Sequence, residues 1–396
     1  MSGLEPLFRE EHEAYREAAR RFVSEVIAPH AEDWEKARDY PRDLFNKVGS
    51  AGLFGAKFSD EWGGTGPDFA AEAVWIEELS KGLTYGTAAD LGAHSQLASL
   101  YIDRFGGDDL KDRFLRPSIK GSKLGALAVT EPGTGSDVNG IVTRARRDGD
   151  EWGITGSKVF ITNGSWSDYV VLAARTSDDP GHDNLTLFVV EADSPGFDRA
   201  RMDLIAWHTS HTGELFLDDV RVPDENRIGD VGSGFRLIMS NFQWERLMMA
   251  LSGVALAELA LETGIAYARE RKAFGRPIIG FQVWQHRFAD LATRIRTGKA
   301  LTYRALRLHI AAETGAQVPR SELVRLTSMA KLHTQRLAWQ AADECVQVHG
   351  GAGALMEYPA QRLWRDTRVG PIGGGTDDIM RNVIAATMGL GAFTGR

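Results

Sequence analysis

Apolar residues recur at helical spacing in the first third of the chain, break into short strand-like runs in the middle, and return to helical spacing up to the end. Tyr15, Ala18, Ala19, Phe22, Val23 and Val26 fall in a run that Pro29 ends, and Leu44, Phe45 and Val48 begin a second helix. A Gly-rich stretch at 62–67 leads to Asp68, placed to cap a third helix carrying Val74, Trp75 and Leu79. No Lys-Ser or Lys-Thr pair follows those glycines, so the stretch is not a nucleotide loop. Helical runs around 91–105 and 109–119 complete an all-helical region, residues 1–122.

The pattern changes near Lys123. Residues 124–130 form a short apolar run, Asp148-Gly149 offers a turn between two strand-like stretches, and 158–162, 169–176, 185–191 and 214–222 read as strands. Short strands without intervening helices predict an antiparallel sandwich or barrel over 123–232 and argue against a Rossmann domain, whose dinucleotide fingerprint is also missing. Helices from 233 to about 271, 281 to about 314, 322 to about 349 and from 376 onward predict an antiparallel bundle over 233–396. The expected class is therefore α+β, with a helical N-terminal domain, a middle antiparallel β-domain and a C-terminal four-helix bundle.

Within the first bundle helix, Ile238, Asn241, Phe242, Met248, Met249 and Ser252 lie three, four or seven positions from Glu245 and share its face. A carboxylate on so apolar a face is either paired, with Arg246 or a neighbouring helix, or held with a raised pKa for a purpose.

Composition narrows the function classes. A net charge of −8 and a pI near 5.8 give no global attraction for nucleic acid or anionic membrane. The single Cys345 forms no internal disulfide or multi-cysteine metal site, in keeping with a reducing compartment. The N-terminus lacks a basic region followed by an apolar run, and no uninterrupted apolar stretch suits a bilayer, so the expectation is a cytoplasmic protein without membrane insertion.

Five stretches carry candidate chemistry. Val129-Thr130-Glu131-Pro132-Gly133-Thr134-Gly135-Ser136-Asp137 is a strand entering a loop rich in exposed N–H and hydroxyl groups, suited to a polar cofactor ring or a phosphate. Lys158-Val159-Phe160-Ile161-Thr162-Asn163-Gly164 sets an aromatic beside a hydroxyl at a strand end, and Arg271-Lys272-Ala273-Phe274-Gly275-Arg276 is a basic cluster at a helix C-terminus. Gln347-Val348-His349-Gly350-Gly351 follows, and in Gly373-Gly374-Gly375-Thr376-Asp377-Asp378 the threonine can cap the last helix.

In this order and at these separations, the five stretches resemble the acyl-CoA dehydrogenase family over nearly the whole chain, with matches to its Val-Thr-Glu-Pro-Gly-x-Gly-Ser-Asp, Lys-x-aromatic-Ile-Thr-Asn-Gly and Arg-x-x-Phe-Gly motifs. The resemblance implies FAD, with Leu127, Val129, Thr130, Gly135, Ser136, Phe160 and Thr162 lining the flavin and its chain, and Thr376 and Asp378 also in contact. It implies a homotetramer in which Arg271, Phe274 and Gln282 of one subunit, with Gln347, Gly350 and Gly351 of another, reach the pyrophosphate and adenosine. Ser136, Ile238, Phe242, Arg246, Gly374 and Gly375 are the implied acyl-CoA contacts, and electron-transfer flavoprotein is the implied electron acceptor.

Two departures matter. Many family members carry the catalytic glutamate just before the Gly-Thr of the fifth stretch, where this chain has Gly374. The isovaleryl-CoA and long-chain branches resemble it in having Glu-Arg-Leu on the bundle helix and a small residue at the later position, which implies Glu245 as the base for α,β-dehydrogenation. The second departure is Leu204-Ile205-Ala206-Trp207-His208-Thr209, where relatives often have Leu-Gly-x-Arg; His208 and His211 are spaced like metal ligands, but without a carboxylate or Cys cluster no metal site is expected. An oxidase or flavin monooxygenase on the same fold is the alternative enzyme, and a DNA-damage-response-like flavin-binding protein the alternative without catalysis.

Overall fold

The computed structural model describes residues 7–179 and 181–391. The N-terminal part contains α1 (Glu10–Phe22), α2 (Phe69–Leu79) and α3 (Ser99–Phe105) among further short helices, the longest of them Tyr85–Gly92. Asp68 does cap α2, accepting from the N–H groups of Ala70 and Ala71 at 2.9 and 3.0 Å. Every residue of α2 is buried, so this helix is wrapped on all sides.

The middle part is one sheet of β1 (Gly125–Ala128), β2 (Arg144–Asp148), β3 (Glu151–Ile161), β4 (Tyr169–Arg175), β5 (Leu185–Glu191), β6 (Phe197–Arg201), β7 (Gly213–Pro223) and β8 (Arg227–Ile228), in the order β6-β7-β3-β2-β4-β5-β8 with β1 beside β4. The sheet is mainly antiparallel, with two parallel contacts that the sequence did not announce: β1 beside β4, Gly125 opposite Tyr169 and Ala128 opposite Leu172, and β2 beside β4 at Arg144 and Arg175. Periodicity fixes which face a strand buries, but not which distant strand it pairs with. Strands β6 and β8 escaped the sequence reading, one because Phe197-Asp198-Arg199-Ala200-Arg201 is mostly polar, the other because it is two residues long.

The bundle holds α4 (Gly234–Glu270), α5 (Gln282–Glu313), α6 (Arg320–His349), α7 (Pro359–Thr367) and α8 (Asp377–Thr387). With 37 residues α4 is about 55 Å long. Its most apolar window has a mean hydropathy of 1.4, enough by length and composition to pass for a membrane span although Glu258 interrupts the apolar run, and 61% of that window is buried inside the protein. Helices α4, α5 and α6 come closest where side chains are smallest: a Cβ on Gly253 would meet Thr334 at 3.0 Å, and one on Gly298 would meet His333 at 3.1 Å.

One apolar cluster joins the three parts. Phe69 and Phe114 from the first, Leu187 and Ile228 from the second, and Leu247, Leu251 and Leu306 from the third belong to it. Burial of each such side chain contributes roughly 1.5–3 kcal/mol. This shared core sets α4 against the sheet.

Candidate active site

Glu245 lies on α4 where Phe242 and Met248 remain partly open and pack, with Leu127 of β1, on the shared core. No described residue hydrogen-bonds or ion-pairs with its carboxylate. Pairing with Arg246, one of the two sequence readings, is not what the structure holds: Arg246 turns over the Phe242 ring, 5.8 Å from its centroid, and leaves Nε unpartnered. Surrounding protein raises the Glu245 carboxyl above the ordinary range, while Arg246 and Lys331 pull it the other way.

The turn at 373–375 faces this carboxylate. Gly374 has φ +60°, and a Cβ built there would stand 3.5 Å from Glu245 Oε1 and overlap the Met249 sulfur. The N–H groups of Gly374 and Gly375 donate to no described residue, which leaves two donors beside an unpaired carboxylate. Thr376 then caps α8, accepting from the Ile379 N–H at 3.2 Å. Asp377 is buried and tied to Arg336, and exposed Asp378 pairs with Arg381 at 2.7 Å.

On the sheet, Phe160 is re-aimed by a break in register. In an unbroken strand Lys158 and Phe160 would share a face. The pairing of β3 with β7 slips between Lys158 and Ile161, Phe160 takes φ +58°, and it ends 62% exposed while Lys158 is fully buried. The Lys158 ammonium donates to the Val129 carbonyl at 3.0 Å and to Glu131 at 2.8 Å, and Glu131 accepts the N–H groups of Val142 and Thr143. Burial brings Lys158 down to about 8 against the opposing pull of Glu131. The loop carrying Thr130, Gly135 and Ser136 is thus stapled from behind, and a Cβ on Gly135 would meet only the Thr130 methyl, at 3.9 Å.

Arg271, Phe274 and Gln282 lie at the far end of the bundle. The basic cluster there folds into a small hairpin, Lys272–Ala273 against Arg276–Pro277, with Phe274 and Gly275 at positive φ in its two-residue turn. Phe274 is 96% exposed. Val348, between exposed Gln347 and the open Gly350-Gly351 corner, packs in the same small cluster as Ala273 and Phe281, so both stretches meet at this end.

Residues 9–122, 126–220 and 232–389 match the sequence models of the acyl-CoA dehydrogenase N-terminal, middle and C-terminal domains. The chain belongs to the acyl-CoA dehydrogenase family. It is 37% identical over 388 residues to the mitochondrial long-chain specific acyl-CoA dehydrogenase of Sus scrofa, spanning 97% of this chain and 87% of the relative. An acyl-CoA dehydrogenase from Geobacillus kaustophilus superposes with a TM-score of 0.90 at 36% identity, over 96% of this chain and 98% of that one. A glutaryl-CoA dehydrogenase from Mycobacterium smegmatis in complex with FADH2 does so with a TM-score of 0.89 at 27% identity, over 98% and 97%.

Acyl-CoA dehydrogenases carry out FAD-dependent dehydrogenation of acyl-CoA thioesters, and the residues present fit a flavin. An exposed aromatic held at positive φ, a stapled loop and open space over Gly135 make a surface that a flat polar ring can cover. Ile238, by contrast, is fully buried in the shared core rather than open to the cleft. Trp244, next to Glu245 in sequence, is fixed in the core by a 2.8 Å bond to Gln96 and by His309 stacked on its face. His208 contacts Arg365 and stays neutral near physiological pH, lowered to about 4 by burial and that guanidinium, while His211 lies between Asp39 and Asp90. Sequence reasoning named Met249 only as a neighbour on the Glu245 face and missed Lys331 and Gln335; for Lys331 the signal was a lysine on an α6 face it shares with buried Thr327, Ser328 and Thr334.

Proposed function

We propose that this chain dehydrogenates an acyl-CoA thioester between Cα and Cβ, giving the trans-2-enoyl-CoA, with Glu245 as the base that takes the α-proton. The observation that carries this reading is the convergence of an unpartnered carboxylate and the Cβ site of Gly374 on one spot, 3.5 Å apart. A base from either backbone position reaches the same atom, and glycine at one leaves room for glutamate at the other. When bound, FAD supplies the acceptor for the hydride from Cβ. The Gly374 N–H, which donates to no described residue, hydrogen-bonds the thioester carbonyl in this reading, which favours the enolate and acidifies the α-proton. Phe242, Met248 and Arg246 border the acyl-CoA, and Leu127, Val129, Thr130, Gly135, Ser136, Phe160 and Thr162 hold the flavin, with Thr376 and Asp378 beside them. Exposed Phe274 supports a tetramer in which Arg271, Phe274 and Gln282 of one subunit, with Gln347, Gly350 and Gly351 of another, serve the cofactor. Electron-transfer flavoprotein is the proposed acceptor of the electrons.

Anaerobic titration with acyl-CoAs of increasing length, followed by flavin absorbance, tests the reading. At least one acyl-CoA bleaches the wild-type protein. Glu245→Gln keeps FAD and acyl-CoA binding but slows bleaching by about 10²–10⁴-fold, the contribution of a general base. The wild-type rate should fall as pH drops through the Glu245 pKa, at a pH above the ordinary carboxylate range because that pKa is raised. Bleaching by Glu245→Gln at the wild-type rate would place the base elsewhere, with Asp377 and Asp378 as the carboxylates to examine.

A further inference from the structure

We propose that Lys331 is a positioning residue for this site: its ammonium pins the glycine turn beside Glu245 and sets a cation from a neighbouring helix within reach of that carboxylate. The inference rests on Glu245 acting as the base. Lys331 is fully buried on α6, and the one hydrogen bond it makes among the described residues runs 2.6 Å to the Gly375 carbonyl. A buried ammonium is costly and is retained only with partners or for a purpose. The adjacent carboxylate, Asp377, does not serve it as a salt-bridge partner, because Asp377 is tied to Arg336 and leaves Oδ1 unpartnered. The ammonium of Lys331 is thus held by a carbonyl of the turn, with Asp377 and Glu245 attracting it through space rather than through a direct ion pair.

The next turn of α6 completes the clamp. Gln335 donates to the Met249 carbonyl, one turn beyond Glu245, and its Oε1 occupies space that a Cβ on Gly370 would need. Lys331, Gln335 and Arg336 together grip α4 and the 370–377 segment, and so fix the separation of Glu245 from Gly374. Arg246 on its own helix, Lys331 on α6 and the Tyr101 hydroxyl on α3 are the ionisable groups that act on Glu245, and Asp377, Glu245 and Arg246 are those that act on Lys331. Burial brings Lys331 down to about 8, so at neutral pH it is mostly charged and lowers the Glu245 pKa.

Three variants separate charge from geometry. Lys331→Met removes both the cation and the donor, Lys331→Gln removes the cation but keeps a donor for the Gly375 carbonyl, and Lys331→Arg keeps the charge. In stopped-flow flavin reduction against pH, the acid limb should move up by about one pH unit in Lys331→Met and Lys331→Gln, and stay near the wild type in Lys331→Arg. Isotope-edited infrared titration of the Glu245 carboxyl in the oxidised holoenzyme, with Glu245→Gln as the blank, should show the same displacement without turnover. A purely structural lysine would change flavin content or unfolding while leaving limb and carboxyl titration in place. If Glu245→Gln is inactive and the limb of Lys331→Gln coincides with the wild type, the inference fails and the assignment of Glu245 stands. If Glu245→Gln reduces flavin normally, the assignment itself fails, and the infrared titration still decides whether Lys331 sets the carboxyl pKa.

Discussion

At Gly374 two obstacles stand against any side chain, a φ of +60° and the Met249 sulfur lying where a Cβ would go. Moving the carboxylate from one backbone position to the other is therefore not a symmetrical exchange in this chain. The variant Glu245→Gly with Gly374→Glu has to push the flexible end of Met249 aside and hold a glutamate in left-handed backbone, at about 1–3 kcal/mol of strain. Flavin reduction should recover only weakly in that double variant and further once Met249→Ala is added, as rapid-mixing absorbance would show. Equal recovery with and without Met249→Ala would mean that the thioether is no obstacle. The apolar setting of Glu245 was legible from the spacing of its own helix, because helical neighbours follow from sequence. Lys331, Gln335 and the Gly374 turn reach it from other elements, and no periodicity within α4 announces them.

Among the elements, α4 is held in rotational phase from the side opposite the glycine turn. Trp244, next to Glu245, donates to Gln96 at 2.8 Å, Gln96 donates to Glu72, and Glu72 faces Lys57 at 3.3 Å with both side chains wholly buried. Burial pushes Glu72 up and Lys57 down, each toward its neutral form and each partly restrained by the other. Lys57→Met would strand a buried carboxylate and should lower stability by about 3–5 kcal/mol, whereas Lys57→Met with Glu72→Gln should recover most of it. Urea unfolding of both variants measures the difference; a Lys57→Met loss no larger than that of a surface lysine would contradict the buried pair. The long helices were readable to within two residues, since α4, α5 and α6 begin and end close to where the apolar pattern does. Helix α7 was not, although Pro359 at its first position is a start signal, because nine residues give too short a pattern to stand out.

For the molecule as a whole, pH acts where three segments meet. Glu35 from the N-terminal part lies 3.6 Å from Arg365 and 3.8 Å from Arg362 of α7, near Asp366, which accepts the Trp207 N–H at 2.8 Å. Burial and the neighbouring Glu35 raise Asp366 to about 7, and burial raises Glu35 as well, so the pair retains a proton that the unfolded chain has released. Between the ordinary carboxylate range and about pH 7 the unfolded state binds fewer protons than the folded one, so this junction makes stability fall as pH rises, then level off. Denaturant unfolding at about pH 5 and about pH 8 should show that fall in the wild type and a smaller one in Asp366→Asn; an identical fall in both would remove the pair as its source.

The apolar cluster shared by all three parts also has a temporal side. Phe69 and Phe114 leave the ribosome long before Leu247 and Leu306, which complete the same core. At about 5–20 residues per second the delay is on the order of ten to fifty seconds. For that interval the nascent chain carries half of a hydrophobic interior without its other half, and this fold asks more of the cell's chaperones than three separately closing domains would.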